Sequence, residues 1–344
     1  MSFWRADAGP WGKRLVLNPR FIGNRAVRVL DREVIFSPPV LSFFGDHYQE
    51  FFSFIRHIED AAANGNVLID ITSVREVKAA ALLVLYSTVE IAQVKSKQRK
   101  RIQFTFATYQ GVVQSFSKFG LWALTDQLRT MPASSDVNSL DICTASREAT
   151  TAGDDSELRR VLEYAQNKVL QGSDNEEADL LAYNAITESV SNVWQHAYDD
   201  DFFDGGVEPE LAHWWIIVEC IDDQFYIAVY DKGAGIPFTL QKKSWYHVAF
   251  VNEQGKIEFE IPVDAQRIKM AVEYGRSRFK VDNRGKGLSE AKDFVQSNPD
   301  GTLIIYSGFG NYTYHSEDGK EELRKLPSTF GGTLIQWNLR LNKK

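Results

Sequence analysis

The chain has 344 residues, of which 44% are hydrophobic and 25% charged, an ordinary globular composition with enough length for two domains. Its net charge of −7 provides no overall basic footprint for a phosphate backbone, which argues against nucleic acid as the main partner while leaving room for a small local basic patch. The opening MSFWRADAGPWGKRL has no apolar leader core and no segment approaches the roughly 20 consecutive apolar residues of a membrane span, so a soluble cytoplasmic protein without a membrane partner is expected.

In chain order, AVRVL (26–30) and EVIFSP (33–38) read as strands, followed by the helical HYQEFFSFIRHIEDAAANG (47–65) with Gly65 as a left-handed cap. The apolar VLIDI (67–71) predicts a strand and AAALLVLYSTVEIAQVKSKQRK (79–100) a helix with a basic end. IQFTFA (102–107) predicts another strand and VVQSFSKFG (112–120) a short helix. Strands separated by helices argue for an α/β layer structure. The run SKQRKR (96–101) is read as cations favoured at a helix C-terminus rather than as a binding patch.

Between about 127 and 156 the composition turns polar around a short apolar LDICT, which places a boundary between domains at 1–136 and 137–344. Beyond it come the helices SELRRVLEYAQNKVL (156–170) and one containing AITESVSNVWQHAYDD (185–200). A hairpin follows, HWWIIVECI (213–221) and FYIAVYD (225–231), then a helix around LSEAKDFVQSN (288–298) and the strands TLIIYSG, YTYHS and TLIQWNL. Helices collected against an antiparallel sheet make this half α+β. Cys143 and Cys220 lack metal-type spacing or a second pair and are expected to be buried small hydrophobes.

Four short motifs in the second half carry the chemistry. Glu188, Asn192 and His196 recur every four residues and share one helix face, beside an apolar stripe of Ile186, Val190, Val193 and Ala197. DKGAGIP (231–237) sets Asp231 at a strand end before Gly233 and Gly235, where a missing Cβ lets backbone approach a ligand. NRGKGL puts Gly285 and Gly287 just before a helix, whose free N–H groups suit a phosphate. Thr333 leads the final strand.

Taken in order, these motifs resemble the ATP-binding domain shared by DNA gyrase, MutL, heat-shock chaperones and histidine kinases, the GHKL superfamily, over about residues 138–340. ESVSNVWQHAY looks most like the anti-sigma factor serine kinases. The resemblance implies a GHKL-type α/β sandwich in which Asn192 coordinates the magnesium bridging the nucleotide phosphates. It makes Glu188 a general base toward water or a protein hydroxyl, and gives His196 a family position that is equally compatible with a structural role. Asp231 would accept from the adenine amino group, Thr333 would support that carboxylate, and Ile236 would pack near the base. Gly285 and Gly287 would bracket the phosphates, with Leu288 following. Residues 238–284 form a lid longer than that of the anti-sigma kinases. Arg276, Arg278, Arg284 and Lys286 either clamp a triphosphate or are solvated lid residues.

The segment VLIDITSVREVKAAALLVLYSTVEIA resembles the central strand, loop and helix of the STAS domain, over about 26–127. Where antagonists of that family carry a phosphorylatable serine, this chain reads KAAAL, Lys78 to Leu82, with no hydroxyl to accept a phosphoryl group. A plain helix start explains Ala79 and Ala80 equally well.

The expected protein is therefore an ATP-binding regulator with ATP and Mg2+ as ligands, a Mg-dependent ATPase whose STAS-like domain docks intramolecularly or meets a regulatory partner. Two alternatives stay open, a serine/threonine kinase acting on a separate protein and a nucleotide-sensing module without turnover, as does a homodimer.

Overall fold

The structure, a computed structural model, describes residues 5–9, 12–16, 28–127, 140–170, 176–203, 206–242, 263–274, 287–298 and 300–340. An antiparallel hairpin, β1 (Arg5–Gly9) and β2 (Gly12–Val16), precedes the first layer. That layer is a four-stranded sheet in the order β3 (Arg28–Val29), β4 (Arg32–Phe36), β6 (Asn66–Asp70), β8 (Ile102–Phe104). The β4–β6 and β6–β8 pairs are parallel and β3 is antiparallel. The short strands β5 (Val40–Leu41) and β7 (Glu76–Val77) pair alongside.

Parallel strands need crossover helices, here α1 (Tyr48–Asn64) between β4 and β6 and α2 (Ala79–Ser96) between β6 and β8. Gly65 does not cap α1 in the left-handed conformation expected: its φ of −171° is extended, because the chain passes directly into β6. Helix α2 does start at the alanines, with Lys78 as extended N-cap, and stops at Ser96 because Lys97 takes the left-handed conformation. Its residues Ala80 to Val89 are all buried, apolar on every side, and a helix of that kind must be covered on both faces. The two short helices α3 (Gln110–Lys118) and α4 (Leu121–Leu124) finish this half.

The second cover is a five-stranded antiparallel sheet in the order β12 (Thr302–His315), β13 (Glu321–Arg340), β11 (Gln224–Asp231), β10 (His213–Ile221), β9 (Cys143–Ser146). Strands β10 and β11 join through Asp222 and Asp223, with Asp222 at φ 55°. Alternate residues of β10 face opposite ways, Trp215 and Ile217 into the core of the N-terminal half, Trp214, Ile216 and Val218 into a second core. The second core lies under α6 (Ser156–Leu170), α7 (Glu176–Asn192), α9 (Asp264–Tyr274) and α10 (Gly287–Gln296), with the shorter α5 (Arg147–Thr151) and α8 (Ile236–Gln241) at its margin. The layers thus run sheet, helix pair, sheet, helices.

The N-terminal half does not hang from a linker. Phe43 lies edge-on to Tyr306 and Phe330, at centroid distances of 5.2 and 5.8 Å, and Phe52 lies 5.3 Å from Phe330. Trp215 Nε1 donates to Glu90 on α2 at 2.5 Å and Thr144 Oγ1 donates to the same carboxyl at 3.1 Å. Burial pushes the Glu90 carboxyl up, while His213, Trp215 and Thr144 oppose that shift. Tyr48 donates to the Ser328 carbonyl at 3.0 Å.

Two expectations change here. TLIIYSG and YTYHS are one strand, β12, interrupted by register shifts between Ser307 and Gly310. The strand folds back on itself at those shifts, so that Ser316 N, just past its end, reaches the carbonyl of Gly301, just before its start, at 2.9 Å. The helical part of the expected lid, α9, is a core element instead: Ala265, Ile268 and Val272 are buried and its Asp264 Oδ2 accepts from Phe309 N at 2.8 Å. Residues 243–262 and 275–286 lie outside the described residues. No described helix is long and apolar enough to cross a membrane.

Candidate functional site

Helix α7 ends at Asn192 and continues as a π turn over Val193–Ala197. In regular α geometry His196 would lie about 80° around the axis from Glu188. The wider π turn winds less per residue and recovers part of that rotation, and such turns are common at functional sites. Glu188, Asn192 and His196 are each half-buried, beside the buried Ile186, Val190, Val193 and Ala197. The apolar stripe therefore faces the helix-layer core as its spacing predicts, with the polar row beside it. Asn192 has its side-chain nitrogen buried with no hydrogen-bond partner among the described residues.

The π turn also presents its last carbonyl to the next motif: Ala197 O accepts from Ala234 N at 2.8 Å. Gly233 lies directly against this carbonyl, where any Cβ would overlap Ala197, so the loop 231–235 and the end of α7 meet only because residue 233 is glycine. Tyr198, one residue beyond the turn, donates to the His213 carbonyl at 2.7 Å and accepts from Lys232 N at 3.0 Å.

Asp231 ends β11 opposite Thr333 on β13 and is 5% exposed. Its Oδ1 accepts from Gly233 N at 2.8 Å. Burial pushes its carboxyl up to about 7, with the backbone N–H groups of Gly233 and Thr333 opposing. Thr333 thus supports the carboxyl through its main chain, whereas its hydroxyl lies 3.2 Å from that of Ser307. Just before it, Gly332 holds φ 84° with the Asp231 carbonyl where a Cβ would be, which brings β13 tight against the carboxyl-bearing strand end.

Ser307 is a residue that sequence reasoning missed. Fully buried, it donates to the Gly332 carbonyl at 2.9 Å and accepts from Ile236 N at 2.9 Å, joining β12, β13 and the start of α8. Ile236 is half-buried and packs against the helix-layer core. Lys232 was likewise unassigned. Its ammonium turns away from the helix layer to Glu59 on α1 at 2.6 Å and Thr88 on α2 at 3.0 Å. Burial lowers its pKa, while Glu59 raises it.

Of the NRGKGL motif, Gly287 opens α10 and Leu288 is half-buried in the helix-layer core, with α10 packed along α7. Arg284, Gly285 and Lys286, and the more distant Arg276 and Arg278, lie outside the described residues. The fold therefore sets the Asp231 loop against Ala197 in the turn that follows α7 and pairs Asp231 with Thr333. A separate open hollow, lined by Arg147, Thr151, Asp200 and Gly206 to Pro209, contains none of these residues. Both cysteines are buried, as their spacing suggested. Among the described residues no group of three or more His, Cys, Asp or Glu is placed to hold a metal ion. No known family model matches the chain, and no curated protein matches it significantly.

Proposed function

We propose that the chain binds ATP with Mg2+ at this site as a GHKL-type ATPase, and that its STAS-like N-terminal half is the regulatory element to which the site responds. The observation that carries the reading is the buried Asp231 carboxyl on a loop pressed, at Gly233, against the end of the helix that bears Asn192 and Glu188. A buried carboxyl bound by backbone N–H groups retains acceptor capacity for an exocyclic amine, and a loop with no Cβ at its contact point admits a flat base closely.

The residues divide the work by position. Asp231 orients the adenine edge, held by Gly233 N and Thr333 N. Thr333 and Ser307 fix the strand end behind it. Asn192, with a buried amide nitrogen that has no partner among the described residues, fits a group delivering oxygen atoms, either directly to phosphate or, with its amide rotated, to the metal. Mg2+ when bound would neutralise phosphate charge. Glu188, one turn earlier and half-buried, would take the proton of an attacking water. Lys78 to Leu82 carry no hydroxyl, which favours water over a side chain of that segment as the acceptor.

Calorimetric titration with ATP, ADP and GTP, each with and without Mg2+, followed by assay of labelled phosphate release, tests the reading. Saturable ATP binding that GTP does not match is expected. Equal affinity for ATP and GTP would remove Asp231 from base recognition, and no binding would remove the nucleotide altogether.

A further inference from the structure

The loop 231–236 is closed on itself by Gly233 N to Asp231 Oδ1 at 2.8 Å, tied to the helix layer by Ala234 N to the Ala197 carbonyl at 2.8 Å, and tied to β12 by Ile236 N to the Ser307 hydroxyl at 2.9 Å. Lys232 N is held as well, by the Tyr198 hydroxyl at 3.0 Å, while the Lys232 side chain crosses the sheet. Successive side chains at a strand end point to opposite faces, so with Asp231 directed to the helix layer, Lys232 is directed to the N-terminal half. There Nζ reaches Glu59 on α1 and Thr88 on α2. Both partners thus belong to the two helices between the sheets, and the residue they grip is the immediate neighbour of Asp231.

Resting on the nucleotide reading above, we infer that Lys232 is a positioning residue through which the N-terminal half sets nucleotide affinity: the Glu59–Lys232–Thr88 bridge holds the loop in its base-accepting geometry. Two features favour a regulatory joint over a fixed brace. The pair is only partly enclosed, with side-chain exposures of 20% for Lys232 and 46% for Glu59, so α1 can release it without opening the core. The contact is also polar and directional, whereas the surrounding interface of Phe43, Phe52, Tyr306 and Phe330 supplies apolar adhesion by itself. Movement of α1 relative to the sheet would therefore reach the Asp231 loop before it broke the docking. By linkage, nucleotide binding must in turn tighten the bridge.

The test uses the full-length protein and MgATP. Glu59→Gln removes the charge from a half-exposed position and leaves the fold intact. It should weaken MgATP binding roughly five- to tenfold. Lys232→Met should weaken it by a similar factor, and the double variant should be no weaker than either single one, because the two residues act through one contact. In wild type, MgATP should slow amide exchange in α1 and α2, and that slowing should vanish in Glu59→Gln. If wild type binds MgATP and Glu59→Gln binds equally well while its melting temperature falls, the bridge is a passive brace and the inference is overturned. If wild type itself binds no MgATP, the nucleotide reading falls first, in a titration made before any variant, and this inference falls with it.

Discussion

Replacing Asp231 by asparagine should alter stability and binding in opposite directions. Burial lifts the Asp231 carboxyl from its ordinary 3.8 to about 7. Between those values the folded chain holds a proton that the unfolded chain has released, so stability is highest at or below pH 4, declines as pH rises toward 7, and is then level. The full displacement corresponds to at most about 4 kcal/mol, and the portion falling between pH 5 and 8 to roughly 2–3 kcal/mol. An asparagine side chain cannot ionise, so this slope should be absent from the Asp231→Asn variant. The amide oxygen can satisfy only part of what Gly233 N and Thr333 N offer, which adds a cost of about 1 kcal/mol that does not vary with pH. Urea unfolding of both proteins at pH 5, 6, 7 and 8 reads the slope as the difference between them, with other titrating groups such as Glu90 cancelling. Without nucleotide, the variant should be the more stable protein at pH 8 and lose most of that advantage by pH 5. ATP affinity should fall by about 100-fold or more, on the order expected when a site built for one polar edge meets the wrong one. In wild type, affinity should also weaken below pH 7 as the acceptor becomes protonated. Parallel stability profiles would refute the burial account of Asp231, and unchanged ATP affinity would refute its role in base recognition.

Three further outcomes are expected. Asn192→Ala should abolish the tightening of ATP binding by Mg2+, and equal enhancement in both proteins, measured by calorimetry, would exclude Asn192 as a metal or phosphate contact. Glu188→Ala should bind ATP as well as wild type or better, while phosphate release falls about 10²–10⁴-fold; equal turnover would exclude it as the base. Trp215→Ala, which empties a fully buried site and strips a donor from Glu90, should destabilise the chain by about 3–5 kcal/mol, with fluorescence and circular dichroism reporting one coincident unfolding transition. Separate transitions for the two halves would contradict the continuity of the first core.

Local elements were plain in the sequence where one rule governed them. SELRRVLEYAQNKVL is α6 from end to end, and the β10–β11 hairpin turns at the acidic pair between its apolar runs. The unbroken apolarity of AAALLVLY and HWWIIV also carried information about packing, since α2 and β10 are covered on both faces. Other features were set by distant partners. Ser307 reads as an ordinary strand serine until the fold brings it to Gly332 and Ile236. Lys232 reads as a variable position in a glycine loop because Glu59 and Thr88 lie 173 and 144 residues away along the chain. Gly308 reads as the end of one strand and Tyr312 as the start of another, whereas Gly308 and Gly310 mark irregularities within a single bent strand. The π turn after Asn192 left no local mark in the sequence that periodicity could detect.

The placement of α1 and α2 between two sheets has a consequence for synthesis. Helix α2 is complete at Ser96, but the strand that closes the far side of its layer, β13, ends at Arg340. At typical elongation rates of about 5–20 residues per second, the wait is on the order of 10–50 s. Strands β10 and β11 can cover α2 earlier, but throughout that interval the nascent chain would display Phe43 and Phe52 to solvent or to the ribosome surface. These residues have only the first sheet to shelter them until the last hairpin emerges. A chain released early, by truncation near the polar segment 127–139, would keep these residues and the outer face of α2 uncovered permanently, and its fate would be decided by chaperone capacity and aggregation rather than by the equilibrium stability of the finished protein.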